Sequence, residues 1–411
     1  MLLERVSVEK EYTDPQSSMG DMYLADFRDI AGELRLRFPE KVQMVYFDPP
    51  YATGQSFFCR RKVGEADWRR GRGSLEMTAY EDPAALEPYL AMMRDALTLA
   101  HDLLTDTGVI FVHVDWRASA HVRLLMDEIF GAANFLNEII WSYQTGGRAK
   151  RFFSRKHDTI LLYAKTPRYY LDVFSVAERR AGARSNHMKR HVDSDGRAYR
   201  SIRSGGKTYV YYDDDPVCPG DVWDDVSHLQ QKDPQRTGYD TQKPMRLMER
   251  IIRCSTRPGD TVCDLFAGSG TTLAAAAALG RRFVGVDKGL LAFQTARRRL
   301  LKYPCTFIAP DTEQEYSAQA HFATAIASHE VTLDGLAPDR QGIAFPDLVD
   351  TWSAGYLRDG QFFSLAHGLR TRSQPALRPS LEPPVLRGRL AIRVTDVFGR
   401  FAYFAFPEQT R

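Results

Sequence analysis

Short β-rich runs that end in polar or turn residues recur along the chain, and several are followed by stretches with helical spacing of their apolar positions. That is the pattern of an α/β domain with a mostly parallel sheet. Gln43 to Phe47 (QMVYF) reads as the first clear buried strand, followed by a helix over Pro88 to Leu104, the strand Val109 to Val114 (VIFVHV) and a helix around Ala118 to Phe130. Strands at NEIIWSY and DTILLYAK complete one half of the sheet. A second half follows a polar, aromatic-rich interval: a helix at Met245 to Ser255, the strand Thr261 to Phe266, a helix at Thr271 to Leu279, the strand RFVGVD ending at Asp287, a helix at Leu290 to Leu301, and the strand CTFIA. The α/β pattern closes near residue 310. Beyond it, Pro and Gly punctuation with runs such as RLAIRVTDVF and FAYFAF predicts a small β-rich domain over residues 325–411. No internal repeat is visible.

The 411 residues suffice for two or three domains at roughly 150 residues each. A content of 44% hydrophobic and 26% charged residues excludes a mainly disordered or collagen-like chain. No apolar run approaches a membrane span, and Glu4 and Arg5 stand where a signal peptide would be apolar, so a cytoplasmic location is expected. Five cysteines without CxxC spacing suggest neither a disulfide framework nor a zinc site. They are expected to be reduced thiols, and no metal is expected.

The net charge of +3 identifies no partner, but its distribution is uneven. From Lys165 to Tyr212, 11 Lys and Arg stand against 4 Asp and Glu, interleaved with Tyr169, Tyr170, Phe174, Tyr199, Tyr209, Tyr211 and Tyr212. Cations among aromatic rings suit phosphates and bases. Two further basic runs are Cys59 to Gly73 and Gly146 to Lys156. The last hundred residues have no such surplus.

Asp48-Pro49-Pro50-Tyr51 stands at the carboxyl end of the strand QMVYF, where open α/β sheets bind ligands. Each proline lacks an amide hydrogen and pushes the residue before it towards extended geometry, leaving carbonyls free to accept. An ionised aspartate only accepts. Asp48 and the Pro49 carbonyl can therefore grip both hydrogens of an exocyclic amine and direct its lone pair towards an electrophile, while Tyr51 is suited to stack on the base.

A second feature, Phe266-Ala267-Gly268-Ser269-Gly270, lies between a strand and a helix, and Asp287 ends the next strand 17 residues after Gly270. Glycines admit a ligand close to the backbone, and a distal acid can hold ribose hydroxyls. The FxGxG spacing lacks the full dinucleotide fingerprint.

Together the segments FDPPYATG, GVIFVHVDWRASAHVRLLMDEIFG, NFLNEIIWSY, KHDTILLYAKT, TQKPMRLMERII and DLFAGSGTT resemble, in that order, the β class of amino DNA methyltransferases, the N-4/N-6 DNA methylases, from about residue 20 to residue 302. The resemblance implies a Rossmann-like methyltransferase sheet over residues 20–310, circularly permuted so that the catalytic half comes first, with a target-recognition region inserted at 166–222. It implies S-adenosylmethionine as cofactor. Asp26 in MYLADF would contact its adenine, Lys243 in TQKP would lie near its methionine end, and Phe266, Ala267, Gly268, Ser269, Gly270, Thr271 and Asp287 would line its site. Asp48, Pro49, Pro50 and Tyr51 would be catalytic. The sequence departs from the family pattern at Ala52, where asparagine is frequent, at Asp287, where glutamate is frequent, and at Tyr239-Asp240 in place of His-Pro. His113 and Asp115 are expected on the pocket floor without a catalytic role.

The expected activity is methyl transfer to the exocyclic N6 amine of adenine in duplex DNA after base flipping, with phosphate contacts from the Cys59 to Gly73 run and the central insert. A cognate restriction endonuclease is a candidate partner, and a monomer or homodimer the expected assembly. Three other readings stand beside it. They are the same reaction on the N4 amine of cytosine, for which resembling enzymes more often carry Ser before Pro-Pro-Tyr, a catalytically silent DNA-binding specificity subunit, and a protein or RNA methyltransferase. Residues 325–411 are expected to serve assembly or DNA clamping, separably from the chemistry.

Overall fold

The computed structural model describes residues 1–82, 85–143, 149–179, 188–310, 316–324, 329–384 and 387–407. Arg148 of the third basic run and Arg180 and Arg184 of the central insert lie outside the described residues.

The strand Val42–Phe47 is buried at every position, as a central strand covered on both faces must be. Around it the sheet runs in the order Thr306–Ile308, Gly20–Leu24, Arg282–Asp287, Thr261–Asp264, Val42–Phe47, Leu104–Val114, His157–Ala164 and Phe135–Ser142. The first six are mutually parallel, and His157–Ala164 is antiparallel to both its neighbours. The helices Leu86–Leu103 and Ser119–Met126 pack over one face, and Met245–Ser255, Thr271–Ala278 and Leu290–Leu300 over the other. The strand that launches the glycine turn comes late in the chain yet sits mid-sheet beside the Asp48 strand. This is the circular permutation of a Rossmann-like sheet, in which the glycine turn follows the first strand.

The predicted strands and helices of this region occur with ends shifted by a few residues. The strand Gly20–Leu24 leads into Asp26 of MYLADF, and the hairpin Ser56–Arg61 with Leu75–Glu81 is an element that the sequence pattern did not predict. That hairpin encloses the helix Gly64–Arg70 and carries the basic run Cys59 to Gly73, but its charges are largely engaged within the protein. Arg61 is buried on Asp350 at 3.0 Å, Arg60 pairs with Glu76 and Asp240, Arg69 pairs with Glu65, and the Lys62 ammonium sits 4.2 Å over the Trp68 ring. Arg70 and Arg72, both exposed, are the cations of this run best placed for the expected phosphate contacts.

The central insert holds a three-stranded antiparallel unit, Arg190–Val192, Ala198–Ser204 and Lys207–Tyr212, whose hairpin turns at Gly205-Gly206 with φ of +57° and +76°. Positive φ at both central residues is what a tight two-residue hairpin needs. The local charge surplus ends where Asp213, Asp214 and Asp215 fold back: Arg190 pairs with Asp213 at 2.8 Å and Arg197 with Asp214 at 2.8 Å.

The last hundred residues form β-strands, but they do not stand apart. Strands Val349–Arg358, Gln361–Leu369, Arg389–Asp396 and Phe401–Ala405 continue the same sheet through the parallel pairing of Lys10–Tyr12 with Gln361–Leu369, and Glu4–Val6 pairs with Phe401–Ala405. The chain's first twelve residues thus belong with this region, and its strands begin at Ser317–Thr324 rather than near 325. A buried ionic cluster spans the junction. Arg297, on the helix after Asp287, holds both oxygens of Glu11 at 2.5 and 2.8 Å, and Arg393 approaches the same carboxylate at 3.3 Å. Such a seam does not suit a separable appendage.

Candidate active site

Four adjacent parallel strands deliver an aspartate each to one edge of the sheet. Asp26 follows Gly20–Leu24, Asp287 ends Arg282–Asp287, Asp264 ends Thr261–Asp264, and Asp48 follows Val42–Phe47. All four line one open cleft, together with Pro50, Lys243, Phe266, Ala267, Gly268, Ser269 and Thr271. Pro49, which is buried, Tyr51 and Gly270 are not among the residues that line it.

The Asp48 carboxylate is gripped from two sides. Lys243 Nζ donates to Oδ2 at 2.6 Å and the Tyr51 hydroxyl to Oδ1 at 2.5 Å, with Lys243 also 3.2 Å from the Tyr51 oxygen. Lys243 and Asp48 are 12% and 17% exposed, so this is no surface ion pair. Lys243 therefore reaches the Asp48 end of the cleft. The Tyr51 ring lies over the His113 imidazole with centroids 6.2 Å apart and planes at 25°, so one of its faces is already covered.

The backbone of this turn is fastened by Asp82, which the sequence reading missed. Its carboxylate accepts from the amides of Tyr51 (3.1 Å), Ala52 (2.9 Å) and Thr53 (2.9 Å) and from the Thr53 hydroxyl (2.6 Å). Ala52 is held at φ +54°, a left-handed conformation that asparagine adopts more readily than alanine. The asparagine frequent at this position in the resembling enzymes thus has a backbone rationale, and Asp82 compensates for its absence.

On the other side of the cleft, Gly268 (φ +50°) and Gly270 (φ +73°) shape the turn into the helix Thr271–Ala278. A Cβ on Gly270 would stand 2.6 Å from the Ala296 Cβ, so close helix packing demands glycine there. The amides of Gly268 and Gly289 both donate to Asp287 at 2.7 Å, each to a different oxygen. An ionised carboxylate offers about four lone-pair directions, so Asp287 retains capacity for a ligand's hydroxyls. Burial nonetheless pushes its carboxyl above the ordinary range. Ser269 and Thr271 are partly committed to Arg299, which donates to Thr271 Oγ1 at 2.8 Å. Asp26 is held in a two-pronged pair with Arg28, at 2.9 and 2.7 Å, which keeps its carboxyl below the usual range.

Asp264, Tyr80, Tyr239, Thr241, Lys288 and Gly289 also line the cleft, and the sequence reading gave none of them a role. His113 and Asp115, expected on its floor, do not line it. His113 is fully buried between the Tyr46 hydroxyl (2.9 Å) and Asp158 (3.2 Å).

Burial pushes the Asp264 carboxyl up to about 7, with the charges of Asp48 and Asp287 adding to the shift and the Thr272 hydroxyl and Phe266 amide opposing it. A carboxyl raised from 3.8 in this way stabilises the fold fully only below its unfolded value, and that contribution is lost as pH rises through about 7. Relative to Asp264→Asn, the parent is therefore expected to lose thermal stability between pH 3.8 and 7. Parallel midpoint-against-pH curves for the two proteins would contradict the shift.

Asp26 is neutralised by Arg28 and Asp48 by Lys243, which leaves Asp287 as the acceptor best placed for a ligand's hydroxyls. Among the described residues no helix is long and apolar enough to cross a membrane, and no group of His, Cys, Asp and Glu is disposed to hold a metal ion. The five cysteines are unpaired.

Residues 42–298, the span that carries Asp48, the glycine turn and Asp287, match the DNA methylase family N6_N4_Mtase. The chain is 29% identical over 306 residues to Type II methyltransferase M.EcaI of Enterobacter cloacae, covering 63% of this chain and 65% of that protein. It is 32% identical over 217 residues to Type II methyltransferase M.BglII of Bacillus subtilis, covering 50% and 55%. To DNA adenine methyltransferase YhdJ of Escherichia coli (strain K12) it is 26% identical over 292 residues, covering 71% and 83%. The chain thus spans less than two thirds of the length of M.EcaI and of M.BglII. The match holds the Asp48 strand, the glycine turn and Asp287 in a single stretch of sequence, and the chain belongs to the N6/N4 DNA methylase family.

Proposed function

We propose that this chain is a site-specific DNA methyltransferase that moves a methyl group from S-adenosylmethionine to the exocyclic N6 amine of adenine in duplex DNA. The observation that carries the proposal is the shared cleft: an acceptor-only carboxylate at Asp48 lies beside a glycine turn and Asp287 suited to a nucleoside.

S-adenosylmethionine supplies a methyl group on a positively charged sulfur, from which it leaves as the neutral thioether is released. Asp287 would hold its ribose hydroxyls, Asp26 would contact its adenine, and Phe266, Ala267, Gly268, Ser269 and Thr271, which line the cleft between them, would line its site. Asp48 and the Pro49 carbonyl accept the two hydrogens of the substrate amine and draw its lone pair out of conjugation with the ring. With the cofactor bound, the amine nitrogen held by Asp48 would take the methyl group as the sulfur–carbon bond broke, and the surplus amine proton would pass to solvent. Asp48 carries one donor on each oxygen, Lys243 on Oδ2 and Tyr51 on Oδ1, so like Asp287 it retains a lone-pair direction with which to accept from the amine. The target base must leave the stack to reach Asp48, at a cost of a few kcal/mol.

Asp48 at the head of the tetrapeptide favours adenine over cytosine, since resembling cytosine-N4 enzymes more often carry serine there. Residues 166–222 are the proposed target-recognition region: they interrupt the fold between its halves and expose Ile202, Tyr209, Val210 and Tyr211 on the hairpin. The C-terminal strands are proposed to cap the catalytic domain. Methylome sequencing of DNA from a host expressing the protein tests this reading. The expected result is N6-methyladenine in one sequence context, and methylation confined to cytosine N4 would overturn the choice of base.

A further inference from the structure

The third basic run has no part in the cleft, yet it stands at the same edge of the sheet. The strand Leu104–Val114 lies parallel to the Asp48 strand, with Val112 opposite Phe47, and its next residue, His113, underlies the Tyr51 ring. Three residues further on, Trp116 emerges from that strand's carboxyl end and is 46% exposed. The described residues 149–156, which lead into the strand His157–Ala164, lie at this point. The Tyr143 amide donates to the Lys156 carbonyl at 2.9 Å, and the Ala149 amide donates to Ser154 Oγ at 3.0 Å.

Arg155 carries this segment onto Trp116. Its guanidinium lies 3.7 Å over the indole and 4.8 Å over the Phe152 ring, which ties Trp116, Arg155 and Phe152 into one stack. A guanidinium stacked face-on keeps its in-plane N–H donors available to an anion. Phe152 is 59% exposed and Phe153 is 98% exposed. Two adjacent phenylalanines left in water are not core residues of this chain, and such a patch marks an interaction site. The eight residues from Ala149 to Lys156 include Lys150, Arg151, Arg155 and Lys156 and no acid, so the complementary partner is a polyanion.

We propose that Trp116, Phe152, Phe153 and Arg155 form a DNA-binding rim of the active site, at which Arg155 and its neighbouring cations hold the phosphates and Phe153 enters the space left in the stack by the extruded base. This rests on the DNA-methylating reading above. An apolar side chain wedged between base steps offsets part of the unstacking penalty, and that is the use an otherwise solvent-exposed phenylalanine beside the reaction site would have.

The test compares the parent with Phe152→Ala/Phe153→Ala, both exposed positions whose truncation leaves the fold intact. The substrate is a duplex carrying the sequence that methylome sequencing identifies, used fully paired and with an abasic position opposite the target. The double variant is expected to transfer methyl to the paired duplex about tenfold or more slowly in single turnover, and to come within about threefold of the parent on the abasic-opposed duplex, where the base is already loosely held. Its affinity for S-adenosylmethionine, measured by calorimetry, should match the parent's. Equal losses on both duplexes, or no loss on either, would overturn the proposal. So would an altered oligomeric state with unchanged DNA kinetics, which would assign the patch to a second copy of the chain. A parent that methylates neither duplex while binding the cofactor would instead contradict the reading on which the rim depends.

Discussion

Asp48→Ala is expected to bind S-adenosylmethionine and DNA as the parent does and to transfer methyl more slowly by about a hundredfold to a thousandfold, the loss typical of removing one well-placed group that stabilises developing charge. The carboxylate is the acceptor for both Lys243 and Tyr51 and the only acidic group of the Asp-Pro-Pro-Tyr turn. Its removal leaves Asp287, the glycine turn and the Asp82 clamp on the turn backbone untouched, so the cofactor side of the cleft keeps its contacts. Single-turnover transfer of labelled methyl from a preformed complex of enzyme, cofactor and DNA, with calorimetry on the same protein, separates the two effects. Transfer at the parental rate would reduce Asp48 to a turn residue.

The largest stability effect is expected at Glu11, far from the chemistry. Burial alone would raise its carboxyl, but Arg297 and Arg393 outweigh burial and hold it at about 2. Glu11→Gln leaves two fully buried guanidiniums facing a neutral amide. Breaking a buried ion pair by removing one partner typically destabilises by about 3–5 kcal/mol, and urea or thermal unfolding measures it. The sign with pH follows from the depressed value. The contribution of Glu11 is present above its unfolded value near 4.5 and is lost as pH falls towards 2, so parent and variant should converge in stability over that interval. A variant as stable as the parent at neutral pH would contradict this role for the seam. The same cluster makes removal of residues from 325 onward destabilising, because it takes away Arg393 and the Gln361–Leu369 strand that pairs with Lys10–Tyr12.

The elements with strong periodicity were legible. Val42–Phe47 and Arg282–Asp287 are apolar runs ended by acids, and Met245–Ser255 spaces its apolar residues for one face, so the sheet and the aspartates at its edge could be read from local pattern. The hairpin Ser56–Arg61 with Leu75–Glu81 was not, because its residues alternate weakly and its pairing is set by contacts with distant segments, such as Arg61 with Asp350. Charge runs misled for a related reason. A window ending at Tyr212 counts the cations of the insert and omits Asp213 to Asp215, which fold back onto them. Asp82 had no signal at all: its role arises only when the turn after Asp48 is brought against it, 30 residues from the Ala52 amide that it accepts. The third basic run was visible as charge, but its placement beside the active site depends on which strands neighbour one another, which a linear reading does not supply.

The most direct measurement is nucleoside mass spectrometry of unmethylated duplex DNA incubated with the purified chain and methyl-labelled S-adenosylmethionine. The expected product is labelled N6-methyladenine, formed by the parent and reduced to trace by Asp48→Ala. Unlabelled DNA after incubation with a folded, cofactor-binding parent would contradict the proposed activity.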